Sequence, residues 1–294
     1  MPAPLLAVDA PSLLYRAFFA LPKSITGADG RPVNALLGTA NLVLQAVERH
    51  APRAVVLCFG AEAANYRVEL YPGYHADRPP MPDELSPQWA DARAFFGAFG
   101  WQVLWDEELE ADDLLGSLAT IETQAGGEAL LFTGDRDMFQ CVGEQVTVLF
   151  PGGGGKDGPV EIGPDGVRER YGIDPAQVPD FIALRGDPSD GLPGAKGIGE
   201  KTARDLLREH GSLDALLEAA GRGVPGMRPR VVGALRDAGA ELRAFRAIAT
   251  LRHIAVDRPP DGPLDAAGAA QAARERGMNR LAERLQAWPG GGRP

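Results

Sequence analysis

The sequence lacks a long apolar run, and this excludes a protein that crosses a membrane as a helix. No stretch of about 18 consecutive apolar residues, the length that a transmembrane helix needs, occurs in the chain. The chain opens with Met-Pro-Ala-Pro and enters a short apolar segment without the basic region that begins a secretory signal. We therefore expect a cytoplasmic protein without a membrane partner.

Cysteine and histidine are scarce as well. The two cysteines, Cys58 and Cys141, form no Cys-x-x-Cys pair, and the four histidines are scattered along the chain. These counts exclude a disulfide framework and argue against a Cys/His zinc site. A metal bound by this chain is expected to have oxygen ligands.

A P-loop is also missing, although two stretches are rich in glycine. Gly194 and Gly199 have the spacing of G-x-x-x-x-G-K-[ST], but Glu200 follows where the lysine should stand. The glycine run at 152–155 leads into Lys-Asp, which also breaks the pattern. We do not expect a P-loop nucleotidase.

What the sequence does contain is an alternation of short apolar segments with helical patterns. Hydrophobic residues make up 45% of the chain and charged residues 24%, as in a globular protein. This alternation predicts an α/β fold with a mainly parallel central sheet and helices on both faces. The predicted strands are Leu5–Val8, Ala54–Phe59, Trp101–Leu104, Ala129–Phe132 and Val146–Leu149, and the predicted helices are Val33–Arg49, Pro87–Phe99 with Ser86 as its N-cap, and Ala111–Thr123.

Acidic residues follow three of these predicted strands. They are, in chain order, Asp9, Glu110, Asp112, Asp113, Asp135 and Asp137. Because sites in such sheets collect at the carboxyl ends of the strands, we expect these six side chains to meet at one edge. Like charges in such proximity need cations, and carboxylate oxygens favour Mg²⁺ or Mn²⁺. The alternative for each single acid is a structural role, in which it interacts with a helix dipole or stabilises a turn.

The strand signals stop at about residue 173 and helical patterns follow. A turn rich in glycine and proline carries two more carboxylates, Asp187 and Asp190, and leads into a helix start at 200–203. Gly197 and Gly199 allow this turn to approach another molecule and to present backbone N–H groups, although an ordinary helix-turn-helix connection is the alternative. We predict an α/β domain at 1–172, a helical region at 173–257 and a tail at 258–294 with one helix from Ala266 to Gln286.

Five ordered blocks of sequence carry a family resemblance. They are Val8-Asp9 with Leu14–Phe18, Tyr74 with Arg78–Pro82, Glu110–Asp113, Thr133–Met138, and Gly186–Ala203. Together they resemble the 5′–3′ exonuclease and flap endonuclease family, found in the N-terminal domain of bacterial DNA polymerase I and in phage flap endonucleases. The likeness covers nearly the whole chain. It implies a stand-alone relative with a PIN-like sheet domain followed by a helix–hairpin–helix (H3TH) region.

The resemblance implies a metal-dependent nuclease that removes flaps or 5′ ends during DNA repair or replication. Asp9, Glu110, Asp112 and Asp135 would surround one metal ion, and Asp113, Asp137, Asp187 and Asp190 would complete the second site or its water shell. Two such metals would generate a hydroxide, hold the scissile phosphate and stabilise the leaving oxygen. The implied partners are branched or nicked DNA, with RNA primer ends as a further candidate. A monomer at the nucleoid is the family default.

The resemblance also implies which residues contact DNA. The segment at about 66–86 would form an arch for the 5′ strand, in which Tyr74 stacks on a base while His75 and Arg78 act beside the reacting phosphate. The H3TH turn would grip duplex backbone, with K⁺ as a candidate ion. The implied DNA contacts are Arg16, Arg67, Tyr74, Lys196, Gly197, Gly199, Lys201 and Thr202. For Arg16 and Arg67, pairing with nearby acids is the alternative.

Two positions depart from the family pattern. Gly60 stands where the family usually has a metal-ligating aspartate, and His75 stands where it usually has a lysine. Both changes are expected to weaken catalysis, although Glu62 is a candidate substitute ligand. The leading hypothesis is therefore an attenuated two-metal 5′–3′ exonuclease and 5′-flap endonuclease. The alternative is a DNA-structure-binding protein of the same fold with little or no nuclease activity.

Overall fold

A six-stranded sheet in the order β3-β2-β1-β4-β5-β6 lies at the centre of the protein. The computed structural model describes residues 3–152, 158–223 and 227–289; the glycine run beyond residue 152 and residues 290–294 of the predicted tail lie outside these ranges. Strands β1 to β5 run parallel, and β6 is antiparallel to β5. The strands are β1 (Leu5–Asp9), β2 (Ala54–Phe59), β3 (Gln102–Trp105), β4 (Ala129–Phe132), β5 (Val146–Phe150) and β6 (Val160–Ile162). The predicted α/β class with a mainly parallel sheet is confirmed.

Helices surround this sheet and make up much of the rest of the described chain. They are α1 (Ala10–Ala20), α2 (Asn34–His50), α3 (Asn65–Leu70), α4 (Ser86–Gly97), α5 (Ala111–Gln124), α6 (Pro164–Tyr171), α7 (Val178–Arg185), α8 (Glu200–His210), α9 (Leu213–Arg222), α10 (Pro229–Asp237), α11 (Gly239–Ala249), α12 (Ala266–Glu275) and α13 (Asn279–Gln286). Short 3₁₀ helices lie at Asp137–Cys141 and Pro175–Gln177. None of the helices in the described ranges has both the length and the hydrophobicity needed to cross a membrane.

Both faces of the sheet are covered, and in the central strands β1 and β2 successive side chains enter different hydrophobic cores. In β1, Leu5 and Ala7 belong to one core and Leu6 and Val8 to the other, and all four are fully buried. The first core is completed by α5 and by helices α7 to α11, and the second by α1, α2, α4, α12 and α13. A strand that is buried on both faces has a continuous apolar sequence, which made these strands predictable.

Some predicted boundaries were wrong. Ser86 is the first residue of α4, and Leu85 occupies the N-cap. The single C-terminal helix is in fact two helices, because Gly277 between them has a φ of 75°. A Cβ at Gly277 would lie 2.5 Å from the backbone nitrogen of Ala28, so this turn packs against the chain. Strand β6 and helix α6 were not predicted, since β6 has only three residues and α6 is largely polar.

Candidate functional site

Three acids lie at the carboxyl ends of β1 and β4, and we call Asp9, Asp135 and Asp137 the strand-end cluster. Asp9 ends β1, and its Oδ1 accepts the Ser12 N–H at 3.0 Å, which caps α1. Asp135 Oδ1 accepts the N–H of Asp137 at 2.9 Å. The fold thus fixes these side chains through the ends of parallel strands, as the sequence predicted for this edge.

A buried hydroxyl group joins the acids of the two strands. Thr133 directly follows β4, and its Oγ1 donates to Asp9 Oδ2 at 2.6 Å and accepts the Asp135 N–H at 2.9 Å. Sequence reasoning assigned no role to Thr133, although its place between a buried strand and an acid was the available signal. Thr133 sets the relative positions of Asp9 and Asp135.

The strand-end carboxyl groups are held in an environment that disfavours their negative charge. Burial raises the pKa of Asp9 to about 6 and the pKa of Asp135 to about 8. Burial also raises the pKa of Asp137 well above its usual range, and the charges of Asp135 and Asp190 add to this effect. Such groups bind a proton or a cation more readily than exposed carboxylates do.

A second group of acids surrounds a buried arginine, and we call Arg67, Glu110, Asp112 and Asp113 the Arg67 cluster. Arg67 belongs to α3 and is only 2% exposed. Its Nη1 lies 2.9 Å from Glu110 Oε2, and its Nη2 lies 2.9 Å from Asp112 Oδ2 and 3.2 Å from Asp113 Oδ1. One guanidinium group therefore pairs with three carboxylates at the start of α5.

Three assigned roles do not agree with this arrangement. Arg67 and Tyr74 are buried, and the Tyr74 hydroxyl donates to Glu110 Oε2 at 3.0 Å, so neither side chain is presented to DNA. Asp113 is fully buried; it accepts hydrogen bonds from the Tyr66 hydroxyl at 3.0 Å and from the Arg252 N–H at 2.8 Å, which leaves it closed to a metal. These residues hold the site together, and Tyr66 and Arg252 are members that sequence reasoning missed.

His75 connects the segment after α3 to the helical region. Its Nδ1 lies 2.8 Å from the Glu62 carbonyl oxygen and its Nε2 lies 3.1 Å from Asp190 Oδ1. Since both partners are acceptors, both bonds can form only when the ring carries two protons or Asp190 carries one. Arg78, by contrast, is exposed, and its charge lowers the pKa of the nearby Asp9 carboxyl group against the larger effect of burial.

The turn after α7 brings the last two predicted acids to the same edge. Asp187 Oδ2 lies 3.0 Å from Arg185 Nη2, and the charges of Asp187 and Asp190 both raise the pKa of Asp137. Gly191, with a φ of 75°, packs so closely that a Cβ would lie 2.5 Å from the Gly73 carbonyl oxygen. The helical region therefore contacts the segment after α3 directly.

The fit of a metal to this edge depends on the donor atoms and on their directions. All the donors are carboxylate oxygens, which suits a hard cation such as Mg²⁺. Within the described ranges, however, no three Asp, Glu, His or Cys side chains converge on one metal position. Glu110 and Asp112 instead direct oxygens at Arg67. The donor atoms therefore suit a hard divalent cation, whereas Glu110 and Asp112 are held in ion pairs with Arg67.

The turn at 196–202, which was predicted to bind DNA, lies at the surface of the helical region. Lys196, Gly197, Gly199 and Lys201 are exposed and Thr202 is partly exposed. Gly197 has a φ of 77°, and Gly199 is the N-cap of α8, so the helix start carries no capping side chain. Elsewhere, the exposed side chain of Arg16 donates to the carbonyl group of Gly152.

Comparison with known sequences identifies relatives of the chain. The family model described as "5'-3' exonuclease, N-terminal resolvase-like domain" matches residues 4–172, and "5'-3' exonuclease, C-terminal SAM fold" matches residues 173–265. DNA polymerase I of Mycobacterium tuberculosis is 38% identical over 259 residues, covering 87% of this chain and 28% of that protein. The thermostable DNA polymerase I of Thermus thermophilus is 39% identical over 282 residues, covering 96% and 32%. The chain thus spans less than a third of the length of these relatives.

Solved structures share the fold. T5 5′-exonuclease with bound zinc has a TM-score of 0.66 at 16% identity, covering 96% of this chain and 98% of that chain. A bacteriophage T5 flap endonuclease complex with DNA and metal ions has a TM-score of 0.67 at 18% identity, with the same coverage. The catalytic core of Rad2 in complex with DNA substrate has a TM-score of 0.65 at 14% identity, covering 97% and 91%. These likenesses support the fold, and the sequence matches show that the chain belongs to the 5′–3′ exonuclease family.

Proposed function

We propose that this protein is a metal-dependent 5′–3′ exonuclease and structure-specific 5′-flap endonuclease that hydrolyses DNA phosphodiester bonds. The strand-end cluster carries the proposal. Its three acids have raised pKa values and lie at the sheet edge where sites of this fold class form, and the charge of the exposed Arg78 acts on one of them, Asp9. A protein that only bound DNA would gain nothing from carboxylates that repel phosphate.

Divalent cations, Mg²⁺ or Mn²⁺ and two per site, are the proposed cofactors. Asp9, Asp135, Asp137 and Asp190 would hold them, with Glu110, Asp112 and Asp187 as the other donors of this edge. When bound, such ions activate water and stabilise the charge on the scissile phosphate and on the leaving oxygen. The protein contributes the fixed strand ends, the Thr133 hydroxyl that orients Asp9 and Asp135, and the Arg67 cluster that holds the start of α5.

DNA would be bound on both sides of this edge. We propose that Arg78 and Arg16 contact phosphates near the site, that the 5′ strand passes the segment at about 66–86, and that the turn at 196–202 binds duplex backbone with the help of K⁺. The complexes of T5 flap endonuclease and Rad2 with DNA support a DNA substrate. The proposed setting is a monomer at the nucleoid in the cytoplasm, acting on branched or nicked duplexes and on RNA primer ends.

The reaction is proposed to be slower than in relatives that have lysine at the position of His75. Because the His75 ring contacts Asp190 and the Glu62 carbonyl oxygen, it offers no free positive charge to a phosphate.

The test is cleavage of a duplex with a 5′-labelled single-stranded flap, in Mg²⁺ and in Mn²⁺. Wild type and Asp165→Asn should cut, and Asp135→Asn should not. Asp165 is a matched control because its side chain is 91% exposed on α6. Flap-length products indicate endonuclease action, and mononucleotides indicate exonuclease action. Tight flap binding without cleavage by wild type in either metal would contradict the proposal and favour the DNA-structure-binding alternative.

A further inference from the structure

The residue that follows β2 has no room for a side chain. A Cβ on Gly60 would lie 2.5 Å from each of three backbone atoms, the Leu109 oxygen, the Glu110 carbonyl carbon and the Ala111 nitrogen. Backbone atoms cannot rotate out of the way as the end of a flexible side chain can. The φ of Gly60 lies outside the left-handed region, so this glycine is required by close packing and not by backbone conformation.

Hydrogen bonds fasten the loop before α5 to the segment after β2 at this point. The Ala61 N–H donates to the Leu109 carbonyl oxygen at 2.8 Å. The Ala64 N–H donates to Glu110 Oε1 at 2.8 Å. The segment that begins at Gly60 therefore holds the Leu109 carbonyl group, which directly precedes Glu110, and one carboxylate oxygen of Glu110 itself. The other oxygen, Oε2, contacts Arg67.

We propose that Gly60 is a positioning residue for Glu110. The missing side chain lets the loop before α5 close onto the end of β2, and this contact sets where the Glu110 carboxylate stands. The inference rests on the proposed function, because it treats Glu110 as a donor of the metal site. It also replaces the simpler interpretation that Gly60 is a lost ligand. An aspartate at position 60 would displace Glu110 rather than add a donor.

The test is Mn²⁺ affinity, measured by the electron paramagnetic resonance signal of free Mn²⁺ well below the melting temperature. Gly60→Ala is expected to weaken binding by about tenfold, as the loss of a supporting contact does at other metal sites. Gly60→Asp is expected to weaken it at least as much, despite its extra carboxylate. Gly97→Ala is the matched control, because nothing lies within 4 Å of a Cβ at this exposed end of α4.

Tighter Mn²⁺ binding by Gly60→Asp would overturn the inference. Unchanged Mn²⁺ binding by Gly60→Ala together with a lowered melting temperature would also overturn it, because that result would show that Gly60 matters only for stability. A wild type without a measurable Mn²⁺ site would overturn it as well. The readout is independent of cleavage, so a wild type that binds Mn²⁺ but cuts no DNA defeats the proposed function alone.

A wild-type measurement covers the case in which Gly60→Ala does not fold. The amide of Ala61 should resist hydrogen exchange as strongly as the amides of β2, because it is hydrogen-bonded to the Leu109 carbonyl oxygen. Exchange at the rate of an open loop would overturn the close contact on which the inference depends.

Discussion

The Arg67 cluster and the strand-end cluster each gather three acids at the same sheet edge, but they offset the repulsion differently. In the Arg67 cluster, a guanidinium group lies within 3.2 Å of an oxygen of every acid. In the strand-end cluster, no acid forms an ion pair with a residue of the described ranges, and the acids are held by Thr133, Ser12 and one another. The negative charges of the Arg67 cluster are offset by a side chain of the protein, whereas those of the strand-end cluster are available to a bound cation.

The internal compensation is partial. Burial raises the pKa of Glu110 to about 7 even though Arg67 opposes that shift. The Tyr74 hydroxyl and the Ala64 N–H also donate hydrogen bonds to this carboxylate, so Glu110 has several partners besides Arg67. The comparison therefore predicts that the loss of Arg67 mainly affects folding, whereas changes in the strand-end cluster mainly affect chemistry.

The largest effect is expected from Arg67→Met. Removing one partner of a buried ion pair costs about 3–5 kcal/mol, because the acids left behind are uncompensated. We expect this loss in the free energy of unfolding, measured by denaturant titration in EDTA. Arg168→Met is the control, since its ion pairs with Asp165 and Asp174 are exposed and contribute little to stability. Equal losses in the two variants would show that the Arg67 cluster is not a folding element.

The second-largest effect is expected from Asp135→Asn, which should lower nuclease activity without lowering stability. Flap cleavage should fall by at least about a hundredfold, the scale of losing one charge-stabilising group in a site. The free energy of unfolding at pH 7 in EDTA should stay constant or rise, since burial raises the pKa of Asp135 to about 8 and folding therefore disfavours a carboxyl group that is ionised in the unfolded chain. A large loss of stability with cleavage retained would contradict the division between the two clusters.

A divalent metal ion is expected to stabilise the folded wild-type protein. At a concentration of 100 times its Kd, Mg²⁺ is expected to raise the free energy of unfolding by about 2.7 kcal/mol. The measurement is a denaturant titration with and without Mg²⁺, with KCl added to match ionic strength. Asp135→Asn should show a smaller increase. An equal response to KCl would mean that the effect is general screening and not a site.

The smallest effect is expected at the turn before α8. Lys196→Ala and Lys201→Ala should each reduce the slope of log binding constant against log salt by about 1 on duplex DNA, since each removes one phosphate contact. Fluorescence anisotropy in EDTA measures this binding without cleavage. Arg280→Ala, an exposed change on α13, is the control and should leave the slope unchanged. Slopes that do not differ from the control would exclude this turn as the duplex contact.

Much of the sheet and its acidic edge could be predicted, because both depend on signals that are local in sequence. Strands buried on two faces are continuously apolar, and the positions of the acids that follow three of the strands are visible in chain order. The orientation of Arg67 could not be predicted in this way. An arginine near acids fits either a phosphate contact or an internal ion pair, and only packing shows that this one is buried.

Gly60 shows a second limit of the same kind. A missing carboxylate is visible in the sequence, but the loop that fills its place belongs to residues 109–111, about fifty positions away. Contacts of this kind depend on how two segments pack, and residue type carries little information about them. The same holds for Thr133, whose hydroxyl bonds to an acid on another strand.

The packing of α12 and α13 bears on where a shortened version of the protein could end. The family match stops at residue 265, yet Ala269, Leu281 and Leu285 beyond it are buried in the second core. Arg276 also pairs with Asp91 on α4. A fragment cut at the end of the family match would expose that core to water and should aggregate on expression, so a minimal recombinant fragment has to extend through α13.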